Sequence, residues 1–247
     1  MRNIKLTLEY DGRRYQGWQR LKDSDKTVQG KIEKVIDIMT EEKIEIIGSG
    51  RTDAGAHAKG QVANFKTEST MSLEDMLEYL NRYLPNDIVV TEIEEVHERF
   101  HARYNATEKT YSYYVWNSTI PSVFNSYHSF HHFEALDLEK MEAACEALVG
   151  THDFLGFSAL KKSKKKSTER TIKEITITQE GHLIKFTFVG DGFLYNMVRI
   201  MMGTILQIGS GELPLSTIEK VFESKQRVDA GPTAPSHGLF LESVSYE

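Results

Sequence analysis

The sequence predicts an α+β fold made of two similar halves. Three observations predict it. Segments that alternate apolar and polar residues, as half-buried strands do, are interleaved with segments whose apolar residues recur every three to four positions, as in helices lying on a core. Over residues 3–96 these segments run β-α-β-β-α-β. Over residues 110–246 nearly the same order returns, although no residue-level repeat accompanies it.

The elements are justified in turn. Ile4, Leu6, Leu8 and Tyr10 alternate and predict a strand over 3–10. Thr27 is a good N-cap for a helix with Val28, Ile32, Val35, Ile36 and Met39 on one face. Strands are expected at 44–47 and about 61–67. Ser72 opens a second helix, with Leu73, Met76, Leu77 and Leu80 turned inward, and Pro85 stops it. A strand at about 88–96 completes the first set. In the second set, "TYSYYVW" (110–116) reads as a strand and 137–149 as a helix capped by Asp137 and ended by Gly150. Strands at about 172–178 and 183–190 follow. Residues 193–208 are apolar on most faces and predict a buried helix. Ser216 with Glu219 suggests a capping box. "GLFLESVSY" (238–246) reads as the last strand. Both halves thus have the split βαβ, or ferredoxin-like, order. They are expected to share one extended antiparallel sheet with a central cleft, divided as 1–104 and 105–247.

Composition sets the bounds. The 247 residues suffice for one large or two small domains with a sizeable core. The single cysteine, Cys145, leaves no internal disulfide framework and favours a reducing compartment. The first residues alternate rather than forming a signal peptide, and no apolar run is long enough to span a membrane. A cytoplasmic protein is expected. The formal net charge of −6 argues against non-specific nucleic-acid binding. Local charge differs: "KKSKKKSTER", Lys161 to Arg170, carries five lysines, one arginine and one glutamate. Such a run is commonly a solvated loop, and it also suits a polyanionic partner.

Four stretches carry candidate chemistry. "GSGRTDAGAHAKGQV" (48–62) sets Arg51 and Asp53 among glycines. It fails the dinucleotide fingerprint, which needs glycine where Asp53 stands, and the P-loop, which needs Gly-Lys-Ser/Thr. Asp53 is either a turn-former bonded to its own backbone or a nucleophile or general base kept ionised by a nearby arginine. "HERFH" (97–101) matches the zinc-protease motif H-E-x-x-H, which works only where a helix brings both histidines to one face. The β-rich residues before it favour a strand running into a loop, so no metal is expected. In "EKTYSYYVW", Tyr111 and Tyr113 share a strand face and Tyr114 takes the other. A tyrosine facing a cleft can stack on a base. "FLYNMVRIMMG" puts Arg199 in an otherwise apolar helix, where it needs a partner or must reach out at a helix end.

Taken together, these segments resemble the tRNA pseudouridine synthase A (TruA) family over essentially the whole chain. The resemblance rests on "KLTLEYDGRRYQGWQ", "GSGRTDAGAHAKGQVANF", "FHARYNATEKTYSYYVWN", "GTHDFLGFS", "ERTIKEI", "GFLYNMVRIMMGT" and "APSHGLFLESVSYE". The R-T-D-x-G loop is its most specific part. The resemblance implies two ferredoxin-like halves on a shared sheet, a homodimer, and isomerisation of anticodon-arm uridines (positions 38–40) of tRNA to pseudouridine with no metal or organic cofactor. It implies that Asp53 is the nucleophile and that Tyr111 stacks on the target uracil. Arg170 and Arg199 match arginines of the active-site cleft, and Arg51 the arginine associated with opening the target nucleotide. Ala56 and Ser236 stand where the family commonly has valine and proline, and neither touches a reactive group. The dense lysine run leaves room for another RNA target, such as ribosomal RNA. A zinc hydrolase at His97 and His101, or a non-catalytic RNA-binding module, each explains fewer of these features.

Overall fold

A computed structural model describes residues 1–160 and 167–247. The chain is α+β, and its contacts divide it into two compact units: Met1–Thr107 with Phe240–Glu247, and Glu108–Leu239. The division falls three residues beyond position 104. The final strand goes with the first unit rather than with residues 105–239.

The first unit contains β1 (Arg2–Tyr10), α1 (Val28–Thr40), β2 (Ile47–Gly48), β3 (His57–Thr67), α2 (Leu73–Tyr83) and β4 (Ile88–Val96). β1 lies between β3 and β4, antiparallel to both, and β2 pairs antiparallel with β3. That is the split βαβ order. The alternation in β1 buries Ile4, Leu6 and Leu8 completely, and the helices bury Val28, Ile32 and Ile36 of α1 and Met76 and Leu80 of α2. The caps follow the sequence: Thr27 Oγ1 accepts from the Gly30 N–H, and Ser72 Oγ from the Asp75 N–H. One expected strand shrinks. Ile44 and Ile46 are buried, but their N–H groups donate to the carboxylates of Asp37 and Glu33 on α1 instead of to a neighbouring strand. Only Ile47 and Gly48 pair.

The second unit follows with β5 (Ala106–Asn117), β6 (Phe130–His132), α3 (Leu138–Leu148), β7 (Gly150–Asp153), β8 (Glu169–Glu180), β9 (Leu183–Gly190), α4 (Met197–Gly209) and α5 (Thr217–Ser224). β9 lies between β5 and β8, antiparallel to both, and β7 pairs with the outer side of β8. The fourth strand of this half by chain order is β10 (Leu239–Tyr246), which runs parallel to β3 in the first unit through Phe240 opposite His57 and Leu241 opposite Ala58. Almost all of α4 is buried, as its all-round apolarity predicts. It starts at Met197 rather than 193, after Asn196 in the left-handed region (φ 59°). The capping box at Ser216 does not form. Thr217 and Ile218 already donate to Pro214 and Leu215, so Ser216 has helical backbone angles and makes no side-chain cap.

Candidate functional site

The loop between β2 and β3 is fixed on both sides of Asp53. Before it, the Ser49 N–H donates to the Val62 carbonyl at 2.7 Å and Ser49 Oγ to Gln61 Oε1 at 2.7 Å. Gln61 Nε2 in turn donates to the Gly50 carbonyl at 3.1 Å. The Thr52 hydroxyl meets Tyr10 Oη at 2.8 Å, and its carbonyl accepts from the Trp18 N–H at 3.1 Å. After it, the Ala56 N–H donates to the Asp53 carbonyl and the Gly55 N–H to the Tyr15 carbonyl. Burial pushes the Tyr10 hydroxyl up to about 12, against the opposing effect of its bonds to Thr52 and Gln61, so it stays neutral.

The glycines have two different uses. Gly17 (φ 94°) and Gly55 (φ 81°) take backbone angles that L side chains disfavour. Gly12 and Gly48 are there for space. A Cβ at Gly12 would lie 1.8 Å from the Ala56 carbonyl oxygen, and one at Gly48 would lie 2.6 Å from the Trp18 indole. Gly48 therefore makes room for Trp18 rather than for bending. The outcome is a rigid loop with Thr52 buried, Asp53 half-buried and Arg51 exposed. Sequence reading missed Tyr10, Trp18 and Gln61. The first two lie in the quoted N-terminal segment, but nothing local marks them as supports of a distant loop.

The neighbouring segment is tied to this loop. The Gly12 N–H donates to His57 Nδ1 at 3.2 Å, and the buried His57 ring stacks on Phe240 with centroids 4.5 Å apart. An Asp11 carboxylate oxygen lies 3.3 Å from the same nitrogen. Burial alone would raise the Asp11 carboxyl. Hydrogen bonds from Arg13, with the Arg13 charge, instead hold it well below the usual carboxylate range.

In the second unit, Tyr111, Arg170 and Arg199 all meet the connector 191–196 between β9 and α4. Tyr111, on β5, is only 7% exposed and meets Phe193 edge-on with centroids 5.0 Å apart. Arg170, on β8, runs beside Gly192, where a Cβ would lie 3.5 Å from its Nε. Arg199 sits in the first turn of α4. Its Nε donates to the Ala234 carbonyl at 2.7 Å, and its Nη1 lies 3.4 Å from Asn196 Oδ1. The charge that an apolar helix could not hold unaided is thus met partly by a backbone carbonyl from the "APSHGL" segment. Tyr113 shares Tyr111's face and donates to the Pro235 carbonyl at 2.7 Å. Burial raises its hydroxyl, which the Arg199 charge partly opposes. Burial also lowers His237, and Arg199 lowers it further against a backbone hydrogen bond at Ser129. Residues 193–196 of the connector, which the sequence places at the start of the buried helix, lie before it instead. Asp191 anchors the connector by accepting from the Thr171 N–H at 3.0 Å and donating its own N–H to the Thr171 carbonyl.

The "HERFH" segment forms turns after β4, not a helix. His97 Nδ1 accepts from the Arg99 N–H, and His101 Nδ1 from the N–H groups of Arg103 and Tyr104. The helical face that a zinc-protease motif needs is not formed. The lysine run Lys161–Lys166 lies outside the described residues.

The family model described as tRNA pseudouridine synthase matches residues 7–105 and 144–247. tRNA pseudouridine synthase A of Bacillus sp. strain KSM-64 is 50% identical over 246 residues, covering 100% of both chains. tRNA pseudouridine synthase A 2 of Bacillus cereus and tRNA pseudouridine synthase A of Acetivibrio thermocellus are each 46% identical with the same coverage. The chain belongs to the tRNA pseudouridine synthase family.

Proposed function

We propose that this chain isomerises uridines at positions 38–40 of the tRNA anticodon stem-loop to pseudouridine, with Asp53 as the nucleophile. The observation that carries this reading is the Asp53 loop itself. A carboxylate is held half-buried in a loop tied down on both sides, within a chain 50% identical from end to end to a tRNA pseudouridine synthase A. Preorganisation of this kind lets a group act without first ordering itself.

The reaction breaks the N1–C1′ bond, turns the uracil and joins C5 to C1′. The C5 proton leaves and N1 gains one, so no electrons are transferred and no metal or organic cofactor is required by the balance. A carboxylate suits the work because it can form a temporary bond, at C6 of the base or at C1′, and then depart. The target nucleotide must leave the stack, at a cost of a few kcal/mol. In this reading Tyr111 offsets part of that cost by stacking on the base, its ring held by Phe193. Arg170 and Arg199 hold phosphate, and the exposed Arg51 takes part in opening the nucleotide. Phosphate contacts of this kind position RNA without reading its sequence.

We also propose a homodimer. In the second unit Ile120, Val123, Phe124, Tyr127 and Phe133 are all more than half exposed, Phe124 at 92%. Such a group of apolar side chains on one segment suits a covered surface. No helix among the described residues is long and apolar enough to cross a membrane, and a tRNA substrate fits the cytoplasm.

The test uses tRNA carrying 5-tritiated uridine, with pseudouridine mapped in the product. Tritium release with pseudouridine at positions 38–40 is expected. Pseudouridine formed only in ribosomal RNA would replace the tRNA target, and RNA binding without any release would leave a binding module. Sedimentation at micromolar concentration should give twice the chain mass of 28.2 kDa; a monomer would remove the dimer.

A further inference from the structure

We propose that a cavity in the first unit, next to the Asp53 loop, holds a backbone phosphate of the bound RNA through Arg14 and Lys26. The proposal rests on RNA being the substrate. It concerns a site apart from Asp53, Tyr111, Arg170 and Arg199.

The cavity has a volume of about 960 Å³ and is lined by four cations, Arg13, Arg14, Lys26 and Lys31, against two carboxylates, Asp11 and Asp87. Both carboxylates are already engaged. Arg13 grips Asp11 through its Nε, at 2.9 and 2.8 Å from the two oxygens, and through a guanidinium nitrogen at 2.6 Å. Tyr15 donates its hydroxyl to Asp87. Burial and the Asp87 charge keep that hydroxyl protonated, since both raise it. Lys31 pairs with the exposed Asp25 at 3.0 Å. Arg14 and Lys26 are left over. Both are exposed, and among the described residues the side chain of neither makes a salt bridge or a hydrogen bond. A concave site whose acidic groups are satisfied and whose spare groups are an arginine and a lysine is complementary to a phosphodiester.

The wall of this cavity is continuous with the Asp53 loop. Arg13 and Arg14 stand on a single 3-10 turn, Gly12–Arg14. The Gly12 N–H bonds His57, and Gly12 packs against the Ala56 backbone too closely to admit a side chain. The Tyr15 carbonyl accepts from the Gly55 N–H, two residues beyond Asp53. On the far side, the Lys26 carbonyl accepts from the Gln16 N–H at 2.7 Å. A phosphate held by Arg14 and Lys26 is therefore held at a fixed offset from the reactive carboxylate. It gives the RNA a register, not only affinity.

The experiment is a set of binding isotherms for an in-vitro-transcribed tRNA over a range of salt. It compares the wild type, Arg14→Ala with Lys26→Ala, the charge-keeping pair Arg14→Lys with Lys26→Arg, and a control pair, Lys34→Ala with Lys43→Ala. Each phosphate contact contributes roughly 0.7 to 0.9 to the slope of log K against log salt. The Arg14/Lys26 alanine pair should flatten the slope by about 1.4 to 1.8 and weaken binding about thirtyfold near 0.1 M salt. The charge-keeping pair should recover most of both. The control pair, which removes two exposed cations elsewhere, should change the slope by less than about 0.5. An unchanged slope in the Arg14/Lys26 pair overturns the site. An equal loss in the control overturns it too, because the effect is then the general field of the protein. Binding is read without isomerisation, so the two readings fail separately. A wild type that binds tRNA through Arg14 and Lys26 but forms no pseudouridine keeps the phosphate site and loses the function. A wild type that isomerises tRNA while the alanine pair binds normally does the reverse.

Discussion

The two units hold their candidate residues by different means. In the first, Asp53 is fixed through backbone: its neighbours' N–H and carbonyl groups are taken up by Tyr15, Trp18, Gln61 and Val62, and glycines allow the close approach. In the second, Tyr111, Arg170 and Arg199 come from three separate elements and are fixed by their side chains, through a ring contact, bonds from the Arg170 guanidinium to the Ser167 and Glu169 carbonyls, and a bond to the Ala234 carbonyl. Backbone fixation suits a group that must form and break a bond at one place. Side-chain fixation suits groups that must adjust to an RNA. Substitutions at the backbone supports of Asp53 should therefore act through loop geometry, and those at Tyr111, Arg170 and Arg199 through binding.

The largest effect on stability is expected from the glycines. Gly12→Ala drives a Cβ to 1.8 Å from the Ala56 carbonyl oxygen, and Gly203→Ala drives one equally close to the Pro232 carbonyl oxygen in the second unit. Each should cost about 3 kcal/mol or more in denaturant unfolding, because backbone rather than a side-chain tip must move. The residual folded protein separates them. Gly12→Ala should lose single-turnover rate. Gly203→Ala, which displaces the segment carrying Ala234, should lose RNA affinity first. Identical losses of rate and affinity in both would erase the contrast between the units.

Next comes Tyr111. Alanine removes the ring and should lower kcat/KM about a hundredfold, within the roughly 1–3 kcal/mol that base stacking supplies. Phenylalanine keeps the ring, so RNA binding should survive while any part played by the hydroxyl in moving the C5 proton shows as slower turnover. Near-normal activity in both would leave Tyr111 a sheet residue packed on Phe193. Arg199→Lys should be smaller, about tenfold in tRNA affinity, because a lysine keeps the charge but loses the planar donor that reaches the Ala234 carbonyl. An unchanged affinity would mean that this arginine serves only the fold.

How much of this was legible in the sequence depends on how local the signal is. The strand Ile88–Val96 and the caps at Thr27, Ser72 and Asp137 follow from patterns contained within a few residues. The strand expected at 44–47 did not, because Ile44 and Ile46 satisfy their N–H groups on carboxylates of α1, a choice that alternation cannot reveal. Ser216 failed as a cap because the chain had begun to turn at Pro214. The last strand joined the first unit because pairing partners distant in sequence leave no local trace. In the site, the Asp53 loop was conspicuous for its composition, while its supports Tyr10, Trp18 and Gln61 look like ordinary strand and core residues. Residues 193–196 of the connector read as helix because Phe193 and Leu194 continue the apolar run of α4, and the left-handed Asn196 that delays the helix leaves no apolar pattern.

The smallest effect concerns one of those supports. Tyr10→Phe removes the hydroxyl bonded to Thr52 and should cost about 1 kcal/mol near neutral pH. Its pH dependence has a definite sign. The folded hydroxyl is pushed up to about 12 from an ordinary value near 10, so the unfolded chain ionises first. Stability from the neutral buried hydroxyl is whole below pH 10 and is lost as pH rises from 10 through 12. The wild type should lose stability across that window more steeply than Tyr10→Phe. Parallel curves would contradict the burial of this group.

The central claim is that Asp53 acts as a nucleophile and not as a turn-former. Asp53→Asn tests it most directly, measured as a single-turnover rate at saturating enzyme beside a binding isotherm for the same tRNA. The amide is nearly isosteric and can still accept turn hydrogen bonds, and the loop is held mainly by its neighbours' backbone, so fold and RNA affinity should persist. The neutral amide is a far poorer nucleophile, so isomerisation should fall by several orders of magnitude. A rate within about threefold of the wild type, at equal RNA affinity, would contradict the account, since the loss of a covalent catalyst costs far more than that.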